Sequence, residues 1–124
     1  MPEREQRPFP FPEASDLVFD KLVDRNGMPV LPAIIVNEET GLDLGLVCMN
    51  VEAYEKTLEL GEVVAWSRER VELWHKGETS GNRQIVKRIV KDCDSDTIKV
   101  YVESLGPFCH TGNMSCFDEP INDK

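Results

Sequence analysis

The sequence predicts a strand-dominated α+β domain, a folded mixed sheet with one main helix. Two observations carry that expectation. Short Val- and Ile-rich runs recur along the chain, each bounded by Gly, Asn, Asp or Pro turn signals. Only residues 50–61, NVEAYEKTLELG, have both the start and the stop signals of a helix. A length of 124 residues suits one such domain.

The elements follow in order. Residues 1–16 read as a flexible, proline-rich arm, in which Pro8, Pro10 and Pro12 alternate with Phe9 and Phe11; packing of the phenylalanines against a surface is an equal alternative. The domain then runs over 17–117. LPAIIV at 31–36, the turn NEETG and the apolar run LDLGLVCMN form a predicted hairpin. Asn50 caps the helix, Glu52 sits in its first turn and Gly61 stops it, with Ala53, Tyr54, Thr57, Leu58 and Leu60 as the apolar face. VVAWS is a short strand, and VELWHKGETSGNRQ begins as a strand and passes into a polar loop. QIVKRIVKDCDSD and TIKVYVESLGPF supply two more strands. Residues 118–124 are expected to be a frayed tail.

Lys and Arg number 14 against 23 Asp and Glu, a formal net charge of −9, so nucleic acid and anionic membranes are poor partners. A phosphorylated substrate must be gripped by a few local cations. No apolar run is long enough for a transmembrane helix, and the charged, proline-rich start lacks the apolar core of a signal peptide. The expected location is the cytoplasm, where clustered cysteines more often mean metal or catalysis than disulfides.

Three segments carry chemistry. In KDCDSD, an extended backbone would put Asp92, Asp94 and Asp96 on one face and Cys93 on the other. Three carboxylates together suit Mg²⁺, although a solvated acidic turn is the favoured reading of this segment taken alone. In CHTGNMSC, Cys109 and Cys116 flank a glycine-containing loop that can turn both thiols onto one ion, and Cys93 is a candidate third ligand. Such a site would be one ligand short of a closed one and open to water. Ordinary core cysteines are the competing reading there, and the favoured one for Cys48. His110 reads as a proton shuttle, a fourth ligand or a surface residue.

The third segment, WSRERVELWHKGETSGN, offers backbone N–H groups, hydroxyls and Lys76, with Arg68, Arg70 and Arg83 near in sequence. It can cradle a phosphate but is not a P-loop, and a plain polar turn is as good a reading. Trp66 and Trp74 are candidates for stacking on a purine or for the core.

Taken together, WSRERVELWHKGETSGNRQ, DCDSD and GPFCHTGNMSC closely resemble the phosphoribosyl-AMP cyclohydrolase family of histidine biosynthesis, and LPAIIV and CMNVEAYEKTLELG fit as well. The resemblance covers roughly 31–117. It implies hydrolysis of the N1–C6 bond of the adenine ring of 1-(5-phosphoribosyl)-AMP in an intertwined homodimer. It also implies catalytic zinc on Cys93, Cys109 and Cys116, contributed by both chains, and Mg²⁺ on Asp92, Asp94 and Asp96. His110 would move protons beside a zinc-activated water, and the ribosyl group on N1 would make C6 electrophilic. Trp66, Arg68, Lys76, Glu78, Ser80, Gly81 and Arg83 are the expected substrate-binding residues, whereas His75 receives no role. The chain ends soon after Cys116, so a single activity is expected. A zinc-dependent nucleotide deaminase and a non-catalytic zinc staple are the rival readings.

Overall fold

The structure, a computed structural model, describes residues 11–117. A single 3-10 turn at Ala14–Asp16 precedes β1 (Leu22–Val23), β2 (Pro29–Asn37), β3 (Asp43–Met49), α1 (Val51–Leu60), β4 (Val64–Ser67), β5 (Glu72–His75), β6 (Gln84–Lys91) and β7 (Ile98–Ser104). Strand β2 is the centre of the main sheet. It pairs antiparallel with β3 on one edge and parallel with β7 on the other, while β6 lies antiparallel beyond β7. The short β1 pairs with Val30 and Pro29 at the start of β2. A separate antiparallel hairpin of β4 and β5 completes the fold. The sheet is therefore mixed, with a single α-helix among the described residues, as the sequence predicts.

Alternation along the strands decides what is buried. One face presents Leu31, Ala33 and Ile35 from β2, Val47 and Met49 from β3, Ile89 from β6, and Ile98, Val100 and Val102 from β7. Helix α1 lays Ala53, Tyr54 and Thr57 onto that face, and Val63 and Ala65 close the layer. The Asn50 side chain accepts the Ala53 N–H at 2.8 Å, and Gly61 ends the helix in the left-handed conformation. Thr57 is buried without cost because its hydroxyl accepts the Val64 N–H at 3.0 Å and bonds the carbonyls of Ala53 and Val64. Leu60, expected on the apolar face, is exposed because it lies one residue before the cap, where the chain turns away.

Pro8, Phe9, Pro10 and the expected tail at 118–124 lie outside the described residues. The described part of the expected arm is folded: Phe11 and Ala14 pack against the core, and the Tyr54 hydroxyl donates to the Pro12 carbonyl. Cys48 is half-buried rather than a core residue, since it lies on the opposite face of the sheet from Val47 and Met49.

Asp24 organises the turn between β1 and β2. Its carboxylate accepts the N–H groups of Asn26 and Met28 and, at 2.8 Å, the indole N–H of Trp66. The Trp66 bond is the main cause holding its pKa below the ordinary 3.8, against a burial effect in the other direction. Because the folded-state value is the lower one, the stabilisation is present above the unfolded pKa and is lost as pH falls through the folded one. Asp24→Asn is expected to destabilise the protein at neutral pH and to flatten the fall of Tm below about pH 4. Thermal melts between pH 2 and 7 check this; an unchanged acid limb would assign the loss to other carboxylates.

Candidate active site

The loop after β5 and the loop after β7 face each other across a cleft of about 340 Å³. One wall carries Trp74, Lys76, Glu78, Thr79, Ser80 and Asn82, and the other carries Phe108, Cys109 and His110. The second wall is built by local hydrogen bonds. Phe108 and Cys109 donate to the carbonyls of Met114 and Asn113, and Gly112 donates to that of Cys109. The reversed chain is then fastened to β3, where the Cys116 N–H donates to Leu44 at 2.7 Å and the Ser115 hydroxyl to Asp43 at 2.6 Å. Phe108 is buried directly over Gly45, where a Cβ would stand 2.5 Å from the ring. Only glycine at 45 lets the aromatic anchor of this loop seat fully.

Lys76 links the two walls. It is buried, with its ammonium 4.5 Å from the centroid of the Phe108 ring and 4.8 Å from that of Trp74. Burial pulls its pKa below the ordinary value, opposed by the charges of Cys116 and Cys109. The lysine thus lies within electrostatic reach of both thiols of CHTGNMSC. The Cys109 sulfur is 3.1 Å from the Thr111 hydroxyl, and His110 is exposed at the rim.

Asp92, Asp94 and Asp96 do come together, though not on an extended strand. Residues 92–97 form the turn joining β6 to β7, with the Ser95 N–H donating to the Asp92 carbonyl and the Asp96 N–H to the Asp92 carboxylate. Ser95 takes a positive φ of 63° in that turn. One carboxylate oxygen from each aspartate lies within 4.8 Å of the others, close enough to share one cation. Lys21 offsets part of the charge at 3.3 Å from Asp96. The alternation expected for this segment is replaced by a turn because two antiparallel strands must connect within a few residues.

Other expected site residues fall elsewhere. Trp66 lies outside the cleft, its indole N–H committed to Asp24, and Arg68 is tied to the Val23 carbonyl at 2.9 Å. Gly81 donates its N–H to Gly77 within its own loop, and Arg83 pairs with Glu62. Trp74, one of the two tryptophans considered for purine stacking, lines the cleft, and so do Thr79, Asn82 and Phe108, which were not singled out for it. Thr79 and Asn82 were legible in the same polar loop, whereas Phe108 needed its packing on Gly45 to be known.

Cys93 is separated from the other two thiols. It sits in the turn that opens β7, whereas Cys109 and Cys116 follow the far end of that seven-residue strand. At about 3.3 Å per residue the strand alone spans roughly 20 Å. Accordingly, the only cluster of three potential ligands among the described residues is the aspartate group.

Comparison with known proteins bears on this layout directly. Residues 46–118, which include both cleft walls, the aspartate turn and all three of these cysteines, match the phosphoribosyl-AMP cyclohydrolase family. The phosphoribosyl-AMP cyclohydrolase of Streptococcus mutans is 54% identical over 92 residues, covering 74% of this chain and 84% of that protein. That of Listeria innocua is 53% identical over 94 residues, 76% of this chain and 90% of its own length. A histidine biosynthesis bifunctional protein of Bacillus subtilis is 54% identical over 95 residues, 77% of this chain and 46% of its length. With the match spanning both walls of the cleft and more than half of the chain, the chain belongs to the phosphoribosyl-AMP cyclohydrolase family.

Proposed function

We propose that this chain hydrolyses phosphoribosyl-AMP in histidine biosynthesis, opening the N1–C6 bond of the adenine ring in a zinc-dependent reaction. The observation that carries the reading is the cleft itself: a loop rich in phosphate-type donors faces a cysteine–histidine pair, in a chain of this family.

The donor set suits zinc, provided that two chains share it. Cys109 and Cys116 flank one short loop beside Lys76, and Cys93 lies a strand-length away, so one chain offers two thiols per site. Cys93 of the partner subunit is the third ligand in this reading, and symmetry builds the site twice. The sheet has a face for that partner. Leu46, Ile34, Lys99 and Val90 form one row across β3, β2, β7 and β6 on the side away from the core. Leu46 is 55% exposed and Val90 38%, and among the described residues no helix covers this side. When bound, zinc supplies a water activated near neutral pH. Asp92, Asp94 and Asp96 would hold Mg²⁺, which would supply a positive charge for orienting a phosphate or ribose. Three thiol ligands require a reducing compartment, so we read the cytoplasm as the setting; no helix among the described residues is long and apolar enough to cross a membrane.

The chain's own residues supply the rest. His110, next to Cys109 and exposed at the rim, carries protons between water and the ring nitrogen that leaves. Trp74 presents a half-exposed indole on which a purine can stack. Thr79, Ser80 and Asn82 donate to phosphate oxygens, and Glu78 accepts from a ribose hydroxyl. Lys76, buried between two rings, contributes a fixed positive charge beside the thiols rather than a mobile grip on phosphate. A product assay tests the reaction. Ring opening releases no ammonia, so conversion of phosphoribosyl-AMP without ammonia supports it, and one equivalent of ammonia per turnover would make the chain a deaminase instead.

A further inference from the structure

Glu62 has no place in the chemistry described so far, yet its carboxylate is in a half-buried position at the base of the substrate loop. Its backbone is fixed where α1 gives way to β4: Glu62 forms a bridge with Ile85, and the neighbouring Val63 N–H donates to the Gln84 carbonyl at 3.0 Å. From there one carboxylate oxygen meets His75 Nε2 at 2.6 Å, and the other meets the Arg83 guanidinium at 3.5 Å. His75 is the last residue of β5, and Arg83 immediately precedes β6. One side chain therefore holds both ends of loop 76–82, which supplies most of one wall of the cleft. A carboxylate can only accept here, so Nε2 of His75 carries the hydrogen of this bond.

The neck of the loop is tight in its backbone as well. A Cβ at Gly77 would collide with the backbone of Asn82 and Arg83, and the Leu105 N–H donates to the Arg83 carbonyl at 2.9 Å. Beyond that neck Glu78, Thr79, Ser80 and Gly81 are exposed, so the closed neck is what fixes their direction. Arg83, next in the chain to the cleft-lining Asn82, keeps a side chain 48% exposed, with donors left over for an anion.

We infer that Glu62 is a positioning residue for the substrate's anionic end: by joining His75 to Arg83 it closes loop 76–82 and presents the loop's hydroxyl and amide donors, with Arg83, to a phosphate group. The inference rests on the cleft being the cyclohydrolase substrate site, and it concerns binding rather than the reacting atoms. Glu62→Gln keeps the size of the side chain but removes the charge that both partners share. In the zinc-loaded protein it is expected to raise KM for phosphoribosyl-AMP roughly tenfold while kcat changes by less than about twofold. Amide exchange in residues 77–82 should quicken at the same time, with α1 and β7 unaltered. Glu62→Asp, one methylene too short to reach both partners, should behave in the same way if the glutamine variant folds poorly. A fall in kcat at unchanged KM, or unchanged exchange in the loop, would overturn the clamp. The exchange measurement needs no turnover, so a wild-type protein inactive on phosphoribosyl-AMP would refute the proposed reaction while still deciding the role of Glu62.

Discussion

Protein carrying Cys93→Ala and protein carrying Cys109→Ala, each inactive alone, are expected to regain activity when refolded together. The reason is the separation of the thiols along β7. If each zinc site takes Cys93 from one chain and Cys109 with Cys116 from the other, a mixed dimer holds one intact site and one doubly damaged site. Random pairing makes about half of the dimers mixed, so about a quarter of all sites become complete. Zinc content should rise in the same proportion, which gives a readout independent of turnover. Mixtures that exchange chains, as mass spectrometry would show, yet stay inactive and zinc-poor would mean that the ligands do not cross between subunits.

Ile34→Asp is expected to abolish both dimer and activity while leaving the monomer folded. Ile34 occupies the middle of the row on the outer face, flanked by Leu46 on β3 and Lys99 on β7. Its side chain points away from the core, so the fold does not depend on it. In a dimer that buries this face, the added carboxylate must be desolvated, a cost of several kcal/mol that pairing with the neighbouring Lys99 offsets only in part. The dissociation constant should therefore rise by at least about a hundredfold. Sedimentation at micromolar concentration checks the state of assembly, and zinc content checks the site. A monomeric variant that still holds zinc and turns over substrate would refute the shared site. So would a wild-type protein that sediments as a monomer.

The sequence conveyed the fold well where local signals agree. The hairpin of β2 and β3, the Asn50 cap and the Gly61 stop each depend on neighbours in the chain, and each appears as expected. The parallel pairing of β2 with β7 joins segments some 65 residues apart and has no local signature. The turn at Ala14–Asp16 is accompanied by packing of Phe11 and Ala14 on the core, where composition pointed to a flexible arm, and the two-residue β1 is held by its pairing with β2.

The site divides along the same line. KGETSGN and CHTGNMSC could be read as polar and thiol-bearing loops, but only the folded chain shows that they face each other. Trp66 and Trp74 are equivalent as residue types. What separates them is Asp24, some forty residues away, which takes the Trp66 indole and leaves Trp74 at the cleft. Glu62 carried no signal at all, since its two partners converge only in three dimensions.

The most direct test of the account is turnover of phosphoribosyl-AMP by the purified protein, measured together with its zinc content before chelation, after it and after zinc is restored. One zinc per chain, activity lost with the metal and activity regained on its return are the expected results. Full activity in chelated, zinc-free protein, or none in protein with complete zinc occupancy, would contradict the account.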